Sequence, residues 1–318
     1  MKVFTKLEEI KEIQPTVIAL GNFDGIHKGH QELIRRTVKS AKIAGLKSAV
    51  FTFTNHPKNV LSGTPLIKNI LYFEDKIRIL KALGVNYLFS IDFDEHIQCM
   101  SPNEFIQELL VNTFRMKEAY CGFNHRFGYK AQGNPEILMQ QGLKYDYGIH
   151  VLEPYKINGD VVSSTLIRNL IAEGDVENCK LYMGRYYGIG GTVVVGNRIG
   201  RTIGFPTSNI TIDETMVTPA NGVYITNCTY NGICYHSITN VGLKPTIGVE
   251  KRNIETHMFD FNKDIYGKEI RVEFLKKIRN EHKFKDVKDL SEQIQRDCLT
   301  ARQFHSKMQE NKPLQTFL

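Results

Sequence analysis

The residues best placed to do chemistry are two histidines, His27 and His30, in the stretch Thr16-Val-Ile-Ala-Leu-Gly-Asn-Phe-Asp-Gly-Ile-His-Lys-Gly-His30. A neutral imidazole offers one donor and one acceptor nitrogen, and its charge changes near physiological pH. Three residues apart, the pair shares one face of a helical turn. The elements that must hold them are legible on either side. Thr16 to Leu20 is an apolar run of the length of a buried strand. Gly21, Gly25 and Gly29 let the chain turn and approach a ligand closely. Beyond His30, Leu33, Ile34, Val38, Ala41 and Ala44 recur near the helical period, and Gly45 ends the pattern. A strand, a tight loop and a helix N-terminus make an anion site, because the first N–H groups and the positive dipole end face the ligand. Gly21, Asn22, Phe23, Asp24 and Gly25 are the loop's candidates for holding a nucleotide phosphate. Two histidines also suit zinc, but no cysteine lies near them to complete a ligand set.

Three further stretches carry polar groups at turns. Gly122-Phe-Asn-His-Arg-Phe-Gly128 offers Asn124 and Arg126 to a phosphate or ribose, or is an ordinary polar loop. Val161-Val-Ser-Ser-Thr-Leu-Ile-Arg168 places Ser163, Ser164 and Thr165 at a helix start, with Arg168 one turn on. Hydroxyls there cap the helix, and with an arginine they also suit a polyphosphate. In Gly200-Arg-Thr-Ile-Gly-Phe-Pro-Thr-Ser-Asn209, Gly204 and Pro206 shape a loop, while Thr207 and Asn209 supply oxygens of the kind Mg²⁺ takes.

The first half alternates strands and helices. Ser48 to Phe53, Tyr87 to Ile91, Glu118 to Cys121 and Ile149 to Leu152 read as further strands, with a helix between Glu74 and Leu83 and a capping box at Ser101-Pro-Asn-Glu104. Such alternation implies a parallel sheet covered on both faces, with ligands beyond the carboxyl ends of its strands. There Gly21 to His30, Asn55-His56 and Asn124 to Phe127 converge. A helical segment runs on from Ala172 to about Met183. From Gly188 short strands follow one another without helices, and Gly196-Asn197, Asn221-Gly222 and Asn231-Gly232 mark turns. That pattern is an antiparallel barrel or sandwich. A helix from about Val287 to Phe304 closes the chain on a stripe of Val287, Leu290, Ile294, Cys298 and Ala301. The boundary falls near 185, dividing the chain into 1–185 and 186–318.

The chain has 318 residues and a formal charge of +7, which favours anionic ligands. Its basic residues are dispersed, which ranks nucleotides above nucleic acid. The six cysteines show no metal-site spacing, and Cys234 faces Thr229 rather than Cys228 across the Asn231-Gly232 hairpin. No apolar run reaches membrane length. A soluble protein of the reducing cytoplasm is expected, in an oligomeric state that the sequence leaves open.

Gly21-Asn-Phe-Asp-Gly-x-His-x-Gly-His30 resembles the signature of the HxGH nucleotidyltransferases, in particular the FAD synthetase half of the bacterial bifunctional riboflavin kinase/FAD synthetases. Ser163-Ser-Thr-x-Ile-Arg168 resembles their second nucleotide motif, with Leu166 where some members carry arginine. Gly204-Phe-Pro-Thr-Ser-Asn209, Asn240-Val-Gly-Leu-Lys-Pro-Thr246 and Glu255-Thr-His-Met-Phe-Asp-Phe261 resemble the riboflavin kinase barrel, with Ser208 replacing an alanine. The resemblance implies an α/β fold with a Rossmann-like nucleotidyltransferase domain and parallel sheet. An antiparallel β-barrel kinase domain with a C-terminal helix follows. It implies ATP, riboflavin and FMN as substrates, FMN and FAD as products, and Mg²⁺ with the ATP. It assigns His27 and His30 to adenylyl transfer, Thr207 and Asn209 to the metal, and Glu255 to catalysis, with Asp260 and Glu269 as rival carboxylates. The competing readings are that one half alone is active, or that the scaffold serves a flavin-sensing or RNA-binding regulator.

Overall fold

The computed structural model describes residues 1–196, 199–246 and 249–310, and the chain divides into two compact units, Met1–Leu166 and Ile167–Leu318. The turn expected at Gly196-Asn197 involves residue 197, outside the described residues.

The first unit is built on strands β1 (Lys2–Phe4), β2 (Thr16–Leu20), β3 (Lys47–Phe53), β4 (Tyr87–Ile91), β5 (Met116–Gly122) and β6 (Gly148–Leu152), in the order β1-β4-β3-β2-β5-β6. All its pairings are parallel. Alternate residues of β2 feed two separate cores. Ile18 and Leu20 join Phe51, Phe89, Phe105 and Phe114, while Val17 and Ala19 join Val50, Ile34 and Leu80. Both faces of the central strands β2, β3 and β4 are therefore buried, and these strands are mostly apolar runs rather than alternating ones. The helices are α1 (Lys28–Ala44), α2 (Pro57–Ser62), α3 (Phe73–Ala82), α4 (Glu95–Cys99), α5 (Pro102–Glu104) and α6 (Pro135–Tyr145). Gly45 ends α1 in the left-handed conformation, at φ 67°. The capping box at Ser101 and Glu104 forms, and the chain then continues through Phe105–Thr113 at the wider π pitch. From β2 the chain moves to β3 and β4 on one side and later to β5 and β6 on the other. The loops after β3, β2 and β5 thus leave the same edge of three neighbouring strands at a topological switch point, where such sheets bind ligands.

Two short strands, β7 (Lys156–Ile157) and β8 (Asp160–Val161), form a small hairpin before α7 (Ser164–Glu173), which crosses the division between the units. The single helical segment expected to run to Met183 is in fact two. Gly174 turns at φ +82° and Asp175 caps α8 (Val176–Met183).

The second unit is a closed antiparallel barrel. It comprises β9 (Tyr187–Val194), β10 (Ser208–Ile210), β11 (Gly222–Tyr230), β12 (Ile233–Thr246), β13 (Val249–Met258) and β14 (Glu269–Arg279), with the short α9 (Ile199–Thr202) between β9 and β10. The segment read as one loop from Gly200 to Asn209 ends as a strand, and β10 closes the barrel between β9 and β13. Asn231 and Gly232 turn at φ 47° and 76°, and Thr229 pairs with Cys234. On one face of β11, Tyr224 packs on Phe274, and Thr226 lies in a buried hydroxyl chain with Ser237, Thr239 and Thr256. On the other face, Val223 and Ile225 lie under α10 (Val287–Glu310), whose Ile294, Cys298 and Ala301 pack with Ile238 and Phe259. Val287 is exposed, so the packed stripe is shorter than the sequence pattern.

Candidate active sites

His27 is the N-cap of α1, and its Nδ1 accepts the His30 N–H at 3.2 Å. Accepting at Nδ1 places the ring proton of neutral His27 on Nε2. The two rings stack at 3.6 Å, and Phe23 packs edge-on to His30. A side chain at Gly29 would come within 3.3 Å of the His27 ring and 3.1 Å of Tyr155, so glycine makes room for the stacked pair.

The preceding loop is strained. Phe23 and Ile26 sit at φ 46° and 34°, and Gly25 at φ +82°, yet both side chains are fully buried. Side chains from four elements hold the loop's carbonyls. Thr52 Oγ1 of β3 donates to Asn22 O at 2.8 Å, and Lys76 Nζ of α3 reaches the same oxygen at 3.4 Å. Ser164 Oγ of α7 donates to Asp24 O at 2.7 Å, and Gln31 Nε2 of α1 to Ile26 O at 2.9 Å. The buried Asp24 carboxylate accepts the Ile70 N–H at 3.0 Å. Burial holds the Lys76 ammonium below the usual lysine range, and Asp24 offsets part of that shift. With these carbonyls engaged by side chains, the loop is fixed as a backbone cradle ahead of the helix N-terminus.

The remaining expected residues lie on the loops after β3 and β5 and at the start of α7, where Arg168 already falls in the second unit. Asn124 and Arg126 are exposed after β5. Asn55 accepts the Phe93 N–H at 2.8 Å, and His56 caps α2. Of the three hydroxyls at the start of α7, Ser163 caps the helix through Leu166 N, Ser164 holds Asp24, and Thr165 is exposed. Arg168 follows one turn along α7. Sequence reasoning missed Thr52, Lys76 and Gln31. The one available signal was a threonine inside the apolar run Ser48-Ala-Val-Phe-Thr-Phe53.

In the barrel, Asn209 of β10 stands opposite Glu255 of β13. Asn253, two residues before Glu255 and so on the same face, donates from Nδ2 to Asn209 Oδ1 at 3.0 Å and to Glu255 Oε1 at 2.6 Å. Two residues after Glu255, His257 donates from Nδ1 to Pro206 O at 2.8 Å and packs against Phe205, anchoring the loop that leads into Thr207. Burial pulls the His257 imidazole below its ordinary value, and the bond to Pro206 opposes this. Gly204 takes φ +85° at the loop's turn. Thr207, half-buried, lies two residues before Asn209. The rival carboxylates are engaged elsewhere. Asp260 makes two bonds to Arg302 of α10, at 3.1 and 3.2 Å, and these hold its carboxyl below the usual range. Glu269 accepts from Thr192 at 3.0 Å. Asn253 was not singled out in the sequence, because a lone amide in a strand carries no motif, and His257 stood within the Glu255–Phe261 motif with no role of its own.

Thr207 and Asn209 would present neutral oxygens, and no group of three or more His, Cys, Asp or Glu suited to a metal occurs among the described residues. A site of that kind leaves charge neutralisation to substrate phosphates, which fits Mg²⁺.

Residues 9–166 match the family model of FAD synthetase, and residues 183–305 that of riboflavin kinase. The bifunctional riboflavin kinase/FMN adenylyltransferase of Bacillus subtilis strain 168 is 36% identical over 307 residues, 95% of this chain and 96% of that protein. Its counterpart in Escherichia coli K12 is 32% identical over 289 residues, 91% and 92% of the two chains. A crystal structure from Streptococcus pneumoniae described as a macrolide-efflux protein overlays with a TM-score of 0.87 at 33% identity, covering 95% of this chain and 98% of its own. Among the described residues, no helix is long and apolar enough to cross a membrane.

Proposed function

This chain belongs to the family of bifunctional riboflavin kinase/FMN adenylyltransferases, phosphorylating riboflavin with ATP to FMN and then adenylylating FMN to FAD, and we propose that its two sites carry these steps in that order. The observation that carries the reading is the His27–His30 pair stacked on the N-terminus of α1.

In adenylyl transfer the FMN phosphate attacks the α-phosphorus of ATP in line, and pyrophosphate leaves. No protein nucleophile is required, so the protein's part is positioning and charge stabilisation. His27 donates from Nε2 and His30 from its ring to the phosphate oxygens, backed by the free N–H groups of α1. The loop Gly21 to Gly25 cradles the nucleotide. Asn124 and Arg126 contact a phosphate or ribose of the nucleotide, and Thr165 and Arg168 hold the departing pyrophosphate. Ser163 and Ser164 keep α7 and the loop in place for them.

In the kinase step Glu255 takes the proton of the riboflavin 5′-hydroxyl as it attacks the γ-phosphorus of ATP, the bond from that phosphorus to the β,γ-bridging oxygen breaks, and ADP leaves. A positioned base of this kind contributes about 10²–10⁴-fold. Thr207 and Asn209 would hold Mg²⁺, on a loop shaped by Gly204 and Pro206. Bound there, Mg²⁺ would neutralise charge on the transferred phosphoryl group. A cytoplasmic setting agrees with six cysteines that form no disulfide.

The test is a time course with riboflavin and Mg-ATP, separating riboflavin, FMN and FAD. FMN should rise first and then pass to FAD. Losing a donor of this type costs about 2.7–4 kcal/mol of transition-state stabilisation, so His27→Ala/His30→Ala should stop the reaction at FMN. Full FAD synthesis by that double variant would overturn the first site.

A further inference from the structure

We propose that Asn253 is a positioning residue of the kinase site, coupling the oxygen of Asn209 to the carboxylate of Glu255 through one side-chain amide. The inference rests on the assignment of Asn209 and Glu255 to metal and base.

An asparagine amide nitrogen carries two hydrogens. Asn253 Nδ2 directs one at Asn209 Oδ1, 3.0 Å away, and the other at Glu255 Oε1, 2.6 Å away. The strand geometry makes this possible. Asn253 and Glu255 are alternate residues of β13 and share a face, while Asn209 lies directly across from Glu255 on β10. Asn253 therefore sits diagonal to Asn209, within reach of a short side chain. Asn209 is confined on its other side as well. It is 5% exposed, and a side chain at Gly196 would come within 2.4 Å of its Nδ2. Wedged between Gly196 and Asn253, the Asn209 amide is held with its oxygen toward Asn253. A carbonyl oxygen has two lone pairs, so one serves Asn253 and the second remains for a cation. The same donor fixes the rotamer of Glu255, which has three rotatable bonds of its own. One residue with no metal or base role of its own thus sets the distance between the group that would bind the metal and the group that would take the proton. Nothing in the family motifs of this chain marks position 253.

Partners that orient a metal ligand typically cost about 10–100-fold in metal affinity or activity when removed. Asn253→Ala should therefore lower kcat for FMN formation by about 10–100-fold, with KM for riboflavin within about twofold. Affinity for Mg·ADP, read by calorimetry on the full chain without turnover, should fall about tenfold. Formation of FAD from supplied FMN should be unchanged in the same preparation. Asn253→Asp separates positioning from packing. It matches the native side chain in size but turns an acceptor toward Asn209 Oδ1 and a like charge toward Glu255, so its kcat should fall below that of Asn253→Ala. It also carries the test should Asn253→Ala lose the fold. Turnover within twofold of the wild type in Asn253→Asp, or unchanged Mg·ADP affinity in Asn253→Ala, would overturn the proposal. Glu255→Gln measured alongside distinguishes the two levels. If that variant turns over normally, the site assignment fails. If it is inactive while Asn253→Asp is normal, only the role of Asn253 fails.

Discussion

Replacing Thr52 with valine tests whether the phosphate loop is held by its carbonyls. Thr52 is fully buried, and its hydroxyl donates to Asn22 O at 2.8 Å. Valine keeps the branched shape and deletes the donor. Phe23 and Ile26 sit at positive φ, at about 1–3 kcal/mol of strain each. Against this stand the bonds from Thr52, Ser164, Gln31 and the Ile70 N–H, each contributing about 0.5–1.5 kcal/mol net. The two sums are comparable, so burial of the Phe23 and Ile26 side chains supplies the margin. After the substitution Asn22 O retains Lys76 at 3.4 Å, a long bond. Asn22 is itself exposed, so water replaces part of the lost bond and the cost is the net worth of a hydrogen bond, about 0.5–1.5 kcal/mol, a factor of about 2–13 in the population of the competent loop. The assay is kcat/KM for FAD formation from FMN and ATP, followed by pyrophosphate release, with riboflavin phosphorylation as the internal control. The first should fall within that range and the second should not change, while Thr52→Ser, which keeps the hydroxyl, should restore most of the loss. Thr52→Val with kcat/KM for FAD formation within twofold of the wild type would refute the argument that side-chain donors hold the loop.

Two further expectations concern buried imidazoles. His125 Nε2 is buried with no hydrogen-bond partner among the described residues, and burial pushes the group down to about 4. His125→Phe keeps a ring beside Phe127 and removes that orphan, so it should stabilise the first unit by about 1–3 kcal/mol, read as a higher melting temperature with FAD formation intact. His305 is 3% exposed and stacks on His236 at 4.0 Å, and burial, with His236 assisting, pushes it down to about 4. Above about pH 6.5 it is neutral in both states. Below that the unfolded chain takes up a proton that the native state refuses until about pH 4, so stability falls through this window by roughly 3 kcal/mol. Urea midpoints measured at pH 7.5 and 4.5 should show the loss, and His305→Phe should reduce it. An unchanged pH dependence in that variant would remove His305 from the account.

The sequence showed most clearly what depends on local pattern. The strand before His27, the stop at Gly45, the capping box at Ser101 and the hairpin at Asn231-Gly232 each follow from a few neighbouring residues, and each forms where expected. What it hid depends on pairing across distance. Lys2–Phe4 is too short to show a period, yet it adds an edge strand by pairing with β4. Ser208–Ile210 reads as the end of a loop because a three-residue strand is set by the partners on either side of it. The same division runs through the sites. His27 and His30 are legible because one helical turn brings them together. Asn253 and Asn209 are 44 positions apart and meet only through the barrel's register. Ser164 illustrates the intermediate case. Its residue type and place at a helix start suggested a cap or a phosphate contact, whereas the fold uses it to hold Asp24 O, 140 positions away.

Where the kinase unit begins can be decided by truncation. The change in strand and helix pattern puts the boundary near 185, whereas the compact unit starts at Ile167. The residues between them matter to the barrel. α8 packs against β14 and β9, and its Val176, Cys179 and Met183 are 1%, 0% and 0% exposed. Glu177 pairs with Lys276 of β14 at 3.2 Å, and a side chain at Gly174 would come within 2.6 Å of the Tyr224 hydroxyl. Burying a valine or methionine side chain is worth about 1.5–3 kcal/mol, so losing Val176 and Met183 with α8 costs at least about 3 kcal/mol, against a typical total of about 5–15 kcal/mol for a domain. A fragment of residues 167–318 should therefore melt cooperatively and phosphorylate riboflavin. A fragment of residues 186–318 should melt well below it, or fail to fold at working temperature, although both keep Thr207, Asn209, Asn253 and Glu255. Equal melting temperatures for the two fragments would show that α8 does not support the barrel, and would return the boundary to the position at which the sequence pattern changes.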